Sequence, residues 1–456
     1  MLKKANQKIT ALQLLLILCT YAVTVTANSQ DPGLYTEQNS KNLSATEWNN
    51  IQKQLQLNKN SSNFQQPTYI KNSWTYNRVG DAFGASLAMS GNTLVVGAYG
   101  RRTSRGIVYV YTHTNGIWSH QTSLAASNSQ PGDMFGWSVA ISGDTLVVGA
   151  YHEDSDATGV NGDESNNSTK NSGAAYVFTR TDGTWSQQAY LKASNTDIND
   201  PDDEIDDIED KFGWSVSIAG NYIAVGAPNE ASNAAGINGS ETDNSAIGTG
   251  AVYVFKRTSN IWTQQAYIKP SNSELGDWFG FSVAMSGNLL AVGAPYEDSS
   301  ALGIDGDELD NLAMSAGAAY VFTNTSDTWS QQAYIKASNT DASDQFGSAL
   351  AISGNTIVVG AYLEDGGTTG VNGNEGNNYE TSAASGAAYV FTKITGTWSQ
   401  QAYLKSSNTD HSDHFGRAVD IVDDTVIVGA YWEDGNNTTD TDNSVSASGA
   451  AYVFSR

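Results

Sequence analysis

Cysteine is almost missing from this sequence, with a single residue, Cys19, in 456. One thiol cannot close an internal disulfide, so packing and hydrogen bonds must hold the fold. Basic residues are scarce as well: 23 Lys and Arg stand against 48 Asp and Glu, a net charge of −25. Phosphate backbones need clustered Lys and Arg, which excludes nucleic acid as a partner, and an anionic bilayer would repel such a chain. Proline occurs only 7 times. No apolar run after residue 27 is long enough to span a membrane. There is no Gly-x-Ser-x-Gly elbow, phosphate-binding Gly loop, dinucleotide fingerprint or His-Glu-x-x-His pair, and His152, His411 and His414 are scattered. No residue is assigned a catalytic role, and the chain is not expected to be an enzyme. What is abundant is Gly at 44, with 11 Trp and 22 Tyr and 39% apolar residues, which is not a disordered composition.

Residues 1–27 read as an export signal. Lys3, Lys4 and Lys8 form a positive start, an apolar stretch runs from Leu12 to Leu18 and on toward Val25, and Val25-Thr26-Ala27 offers small residues before Asn28. Gln13, Thr20 and Thr24 interrupt the stretch, which speaks against a membrane anchor, and bulky Leu18 speaks against lipid attachment at Cys19. Cleavage before Asn28 would remove those three lysines and no acid, taking the net charge from −25 to −28. The expected location is therefore extracellular, secreted or at the cell surface. Residues 28–63 form an extension in which Ser44-x-x-Glu47 is a capping box and Trp48, Ile51 and Leu55 share one helical face. They predict a short amphipathic helix, the alternative being a disordered leader with a helical tendency.

The rest of the chain repeats. Asp-x-Phe-Gly recurs with its Phe at Phe83, Phe135, Phe212, Phe279, Phe346 and Phe415, at intervals of 52, 77, 67, 67 and 69 residues. Each copy continues with an alternating run such as Trp137-Ser-Val-Ala-Ile-Ser142, a Gly-Asn or Gly-Asp turn, and a second run such as Thr145-Leu-Val-Val-Gly-Ala-Tyr151. A loop of variable length leads to a third run, Gly173-Ala-Ala-Tyr-Val-Phe178, and a fourth, Trp185-Ser-Gln-Gln-Ala-Tyr-Leu-Lys192. Short β-rich runs bounded by turn residues are strands and hairpins. A four-stranded meander of about 65 residues copied in tandem is the signature of a propeller blade.

The last copy stops after its third run, Gly449-Ala-Ala-Tyr-Val-Phe454. Ahead of the first copy stands Phe64-Gln-Gln-Pro-Thr-Tyr-Ile-Lys71, which aligns with Trp329-Ser-Gln-Gln-Ala-Tyr-Ile-Lys336. The expected fold is all-β: a six-bladed β-propeller of four-stranded antiparallel blades over residues 64–456, with the Phe-Gly strand innermost. The copies fall near 81–127, 133–194, 210–271, 277–338, 344–407 and 413–456. Residues 64–73 would supply the last blade's outermost strand and so close the ring without a free edge.

The Phe-Gly and Gly-Ala-Pro strings, the latter at Gly226-Ala-Pro228 and Gly293-Ala-Pro295 with Tyr for Pro at Tyr99, Tyr151, Tyr362 and Tyr431, resemble the FG-GAP repeat of the integrin α-subunit propeller. The chain looks closest to the secreted bacterial members of that family. The resemblance implies a cell-adhesion or binding scaffold. Two departures stand out: integrin propellers have seven blades, and the family's calcium loop between the first two strands is replaced here by Ser-Gly-Asn, Ser-Gly-Asp or Ala-Gly-Asn, with Val422-Asp-Asp424 in the last copy. A two-residue turn cannot supply six to eight oxygens.

The Asp of each Phe-Gly string (Asp81, Asp133, Asp210, Asp277, Asp344, Asp413) is repeated too often for catalysis and reads as a turn cap. The repeated Trp118, Trp185, Trp262, Trp329 and Trp398 read as packing between blades. The long loops after the second strand carry Glu153-Asp154, Glu230, Glu297-Asp298 and Glu364-Asp365, followed by Gly159-Val-Asn-Gly-Asp-Glu164, Gly236-Ile-Asn-Gly-Ser-Glu241, Gly303-Ile-Asp-Gly-Asp-Glu308 and Gly370-Val-Asn-Gly-Asn-Glu375. Carboxylates around Gly turns suit calcium, so Glu297, Asp298, Asp305, Asp307, Glu308 and Asp310, with Glu153, Asp154, Asp163 and Glu164, are the candidate metal ligands; solvated acidic loops are the alternative. Residues 197–210 form a denser acidic insertion, and Arg101, Arg102 and Arg105 replace the acids in the first copy.

Two functions fit. One is a non-enzymatic scaffold, exported as a monomer, that binds an extracellular protein. The other is carbohydrate recognition, as a lectin or as a glycan hydrolase in the propeller mouth, with Trp137, Trp214, Trp278 and Trp432 as the aromatic face.

Overall fold

A computed structural model describes residues 70, 80–196, 209–375, 383–434 and 446–455, all within one compact unit, Ile70–Arg456. Its strands form five four-stranded antiparallel sheets and one three-stranded sheet, each in simple chain order. The fourth blade shows the pattern, with strands Ser282–Ser286, Leu289–Ala294, Ala318–Thr325 and Thr328–Ile335. The other sheets are the first blade (Leu87–Leu124), second (Ser138–Leu191), third (Ser215–Ile268), fifth (Ala349–Leu404) and sixth (Phe415–Ser455). Successive first strands touch one another from blade to blade, which places the Phe-Gly strand innermost as expected. The chain is a six-bladed β-propeller. Helix is confined, among the described residues, to one turn at Arg101–Ser104, left-handed at Arg102 and Thr103.

Period-two patterning gives each sheet two apolar faces, and at five junctions the facing pair is buried between neighbouring blades. Between the third and fourth blades, Val252 and Val254 meet Phe279, Val292, Tyr320 and Trp329 in one buried cluster. The Phe-Gly ring stands edge-on to a tyrosine of the third strand, with Phe279 and Tyr320 centroids 5.4 Å apart. The blades also meet through backbone. A side chain at Gly293 would put its Cβ 2.0 Å from the Gly347 carbonyl of the next blade, so only glycine permits this approach. A third to fourth strand bulge, between Val321 and Phe322 in the fourth blade, recurs in all five complete blades.

Five junctions share these features, and the sixth does not. Phe135, Phe212, Phe279, Phe346 and Phe415 each donate their backbone N–H to the preceding blade. Phe83 makes no such bond among the described residues. Gly429 of the last blade, equivalent to Gly293, faces only its own Ala418. Val147 and Val177 of the second blade are fully buried, whereas their counterparts in the last blade, Ile427 and Val453, are 41% and 60% exposed. On the first blade Leu87 and Met89 are 62% and 64% exposed. Ile70 nevertheless packs on the first blade's Val96–Tyr109 cluster, as Leu191 packs on the third blade's Val225–Tyr253 cluster.

The last blade has three described strands, Phe415–Val422, Thr425–Ala430 and Ala450–Ser455. The expected leader at 1–27, extension and helix at 28–63, closing strand at 64–73 apart from Ile70, and acidic insertion apart from Glu209 and Asp210 lie outside the described residues.

Candidate functional site

Antiparallel pairing makes the two ends of the ring different. Ser282 pairs with Gly293 and Ala294 with Ala318, so the Phe-Gly connections and the long loops gather at one end. The opposite end carries only tight hairpins such as Gly287-Asn288, with glycine at φ +59 in the first turn position.

At the loop-bearing end the acidic residues have protein partners. Glu297 is buried; its Oε2 accepts from Lys336 Nζ at 2.7 Å and its Oε1 from Tyr334 Oη at 2.8 Å and Asn272 Nδ2 at 3.1 Å. Tyr320 Oη donates to Asn272 Oδ1 at 2.7 Å, tying the preceding blade's Asn to this one. The same buried pair recurs as Lys192–Glu153 at 3.1 Å, Lys269–Glu230 at 2.8 Å and Lys405–Glu364 at 2.8 Å. In the first blade Ser123 and Ala125 stand where the Tyr and Lys belong, and the loop has no Glu, so the three groups are absent together. That joint loss is what a mutually neutralising cluster requires, because any one member left alone is a buried unpaired group.

The remaining candidate ligands shape the loops. Asp298 accepts from Ser315 N–H, Asp305 from Tyr334 N–H and Asp307 from Leu309 N–H; Glu308 accepts from Ser271 Oγ and Asp310 from Leu312 N–H and Ser300 Oγ. In the second blade Asp154 accepts from Asn171 N–H, Asp163 from Ser165 N–H and Glu164 from Ser127 Oγ. Among the described residues no three His, Cys, Asp or Glu converge as a metal site. Each of the ten candidate carboxylates instead has at least one hydrogen-bond partner within the protein.

Four of the six Phe-Gly aspartates are caps, as read from the sequence: Asp133, Asp277, Asp344 and Asp413 each accept the backbone N–H three residues earlier, whereas Asp81 accepts from Arg101. Burial, reinforced by Glu297, raises Asp277 to about 8, and burial with Glu364 does the same for Asp344. Asp133 and Asp413 are raised to about 7, again chiefly by burial. Burial pushes Lys336 down despite the pull of Glu297. Trp185, Trp262 and Trp329 are buried, and each donates its indole N–H to a Gln of the preceding blade.

The mouth of this end is aromatic. Trp137 lies 5.0 Å from Tyr99, 4.7 Å from Tyr151 and 5.0 Å from Trp214; Trp214 contacts Phe281 at 5.5 Å, and Trp278 lies 5.0 Å from Tyr296. A second group joins Tyr362, His414 and Trp432. Trp278 and His414 occupy the left-handed position before Phe-Gly, at φ +57 and +55. The sequence named the tryptophans but not this stacking across blades. Asp-x-Phe-Gly spacing was the available signal, since it aligns these residues copy by copy.

A propeller whose six blades each begin with Asp-x-Phe-Gly defines a repeat class by its geometry. The FG-GAP repeat family matches residues 77–111, 118–178, 207–255, 262–322, 329–391 and 398–454, and the chain belongs to that family. No curated protein matches it significantly. No helix among the described residues is long and apolar enough to cross a membrane, which leaves β-barrel spans unaddressed.

Proposed function

We propose that this protein is an exported, non-enzymatic scaffold that presents the loop-bearing end of its ring to an extracellular protein. The observation that carries the reading is the contrast between conserved internal repetition in the strands and blade-to-blade difference in one set of loops. The strands of the second to fifth blades are near copies, whereas the first blade's short Arg101–Ser104 turn, the acidic loops and the mouth residues all differ at that end. A rigid frame with variation confined to one face suits recognition. Export rests on the leader, and N-terminal sequencing of secreted protein is expected to begin at Asn28.

The test is a solid-phase screen of the intact chain against extracellular proteins and glycans. Saturable protein binding that is lost when the loops of the second to fifth blades are shortened beyond their buried Glu153, Glu230, Glu297 and Glu364, in variants that keep the wild-type melting temperature, supports the scaffold. Binding that survives that shortening, or turnover of a glycan, overturns it. The half-buried Trp137, Trp214 and Trp278 favour carbohydrate recognition as a second reading, because sugar rings stack on such faces. Binding to one glycan class, lost in Trp137→Ala, would select it.

A further inference from the structure

The fourth blade carries an apolar surface that the second blade lacks. Leu275, Leu309, Leu312 and Met314 are all exposed, Leu312 at 84%. They belong to one place: Glu274, beside Leu275, accepts a hydrogen bond from Asn311, which lies between Leu309 and Leu312. Shared capping bonds align the loops of two blades. Asp307 caps Leu309 as Asp163 caps Ser165, and Asp298 caps Ser315 as Asp154 caps Asn171. The second blade therefore has Ser165, Ser168 and Lys170 where the fourth has Leu309, Leu312 and Met314. The same loop frame is built with polar residues there, so folding does not require the apolar ones. Exposed leucines clustered on a chain of this acidity lose solubility without a compensating role, and such patches mark docking surfaces.

The border of the patch decides what fits it. Asp307, Glu308 and Asp310 flank Leu309 along the loop, Glu274 is bonded to Asn311, and the loop 299–316 has no Lys or Arg. A second copy would bring the same acids face to face, at a net charge of −25 per chain. We propose that this patch docks a segment of another protein in which apolar side chains are flanked by Lys or Arg. Burial of the leucines supplies affinity, and the acidic rim supplies orientation and the rate of encounter. The inference rests on the scaffold reading and narrows it to one blade and one partner chemistry.

The probe is a synthetic helical peptide of about five turns, with Leu on one face and Lys on the other, titrated into the intact protein by anisotropy. Wild type is expected to bind it saturably, and a version with Ser in place of Leu is expected not to saturate. The variant Leu309→Ser, Leu312→Ser, Met314→Lys installs the second blade's residues and should weaken binding by about tenfold or more. Leu309→Ser, Leu312→Ser, Met314→Gln keeps the charge constant and should weaken it equally. Unchanged binding by this second variant overturns the proposal, because acidity alone then captures the peptide. Concentration-dependent dimerisation abolished by the same variant also overturns it, naming a second copy as occupant. A chain that ignores the peptide yet binds a partner through its other loops refutes the patch and leaves the scaffold standing.

Discussion

The fourth and sixth blades are built from nearly the same residues and end in different states. Both have a buried glutamate at the start of the long loop, Glu297 and Glu433, and both have an Asn from the preceding blade bonded to it, Asn272 at 3.1 Å and Asn408 at 2.9 Å. Glu297 also holds Lys336 and Tyr334 from its own fourth strand. Among the described residues Glu433 has no lysine and Ile427 and Val453 have no covering strand. The lesson is that a blade's strands are a property of its own sequence, while its burial and charge balance belong to the neighbouring strand and sheet.

The largest effect that sharpens this contrast is removal of a buried cation. Lys336→Met takes the only cation from the buried Glu297 cluster and is expected to destabilise the protein by about 3–5 kcal/mol, read by chemical denaturation. Residues 64–71 repeat the fourth-strand pattern, and Ile70 already rests on the first blade as Leu191 rests on the third. Lys71→Met is therefore expected to lose a similar amount, with Glu433→Gln recovering part of it. In the fourth blade Val321 pairs with Ala333, so a closing strand at 64–73 would set Thr68 opposite Val453. Cysteines at those two positions, with Cys19 replaced by Ser, should form an intramolecular disulfide. A silent Lys71→Met together with no cross-link would leave the last blade three-stranded.

A smaller effect separates the faces. Val177→Ala empties a closed junction and should lower stability by about 2 kcal/mol, whereas Val453→Ala at the open face should stay within about 0.5 kcal/mol. Equal losses would mean that the last blade's face is covered in solution.

A third prediction concerns pH. Asp277 and Asp344 are raised in the fold to about 8, above an unstrained carboxyl at 3.8. The folded state then holds protons that the unfolded chain has released, so the stability these groups contribute is present below about pH 4 and is lost as pH rises through 8. The melting temperature should fall between pH 6 and pH 9, contrary to the usual carboxylate trend. Asp277→Asn, which keeps the oxygen that caps Glu274 N–H, should flatten the profile by a few degrees. An unaltered profile would place the titration elsewhere. The smallest effect is expected from EDTA: with each candidate carboxylate bonded within the protein, chelation should leave the melting temperature unchanged. A drop would support calcium in the loops around Glu297 and Glu153.

Much of the ring was legible along the chain because its code is local. Alternation of apolar residues, Gly-Asn hairpins and the recurring Asp-x-Phe-Gly specify strands, turns and their order within a blade, and the structure follows them in every complete blade. The aspartate cap was legible for the same reason, its partner lying three residues away. The internal partners of the acidic loops were not legible, because carboxylate spacing looks alike whether the partner is a cation from solution or one from the chain. Lys336 lies 39 residues from Glu297 and Lys192 the same distance from Glu153, and nothing in the intervening sequence says that the two meet.

By itself, then, the sequence determined the all-β class, the six copies, the four-stranded blade and the acidic, disulfide-free character of the chain. Each of these depends on hydrogen bonds and side-chain alternation within a few residues or one hairpin. Tertiary structure decided which end carries the loops, how Trp137 and Trp214 of neighbouring blades stack, that Glu297 is neutralised internally, and that Leu309 and Leu312 stay in water. Those outcomes turn on contacts between blades, where burial and electrostatic pairing depend on three-dimensional distance and sequence spacing carries little information.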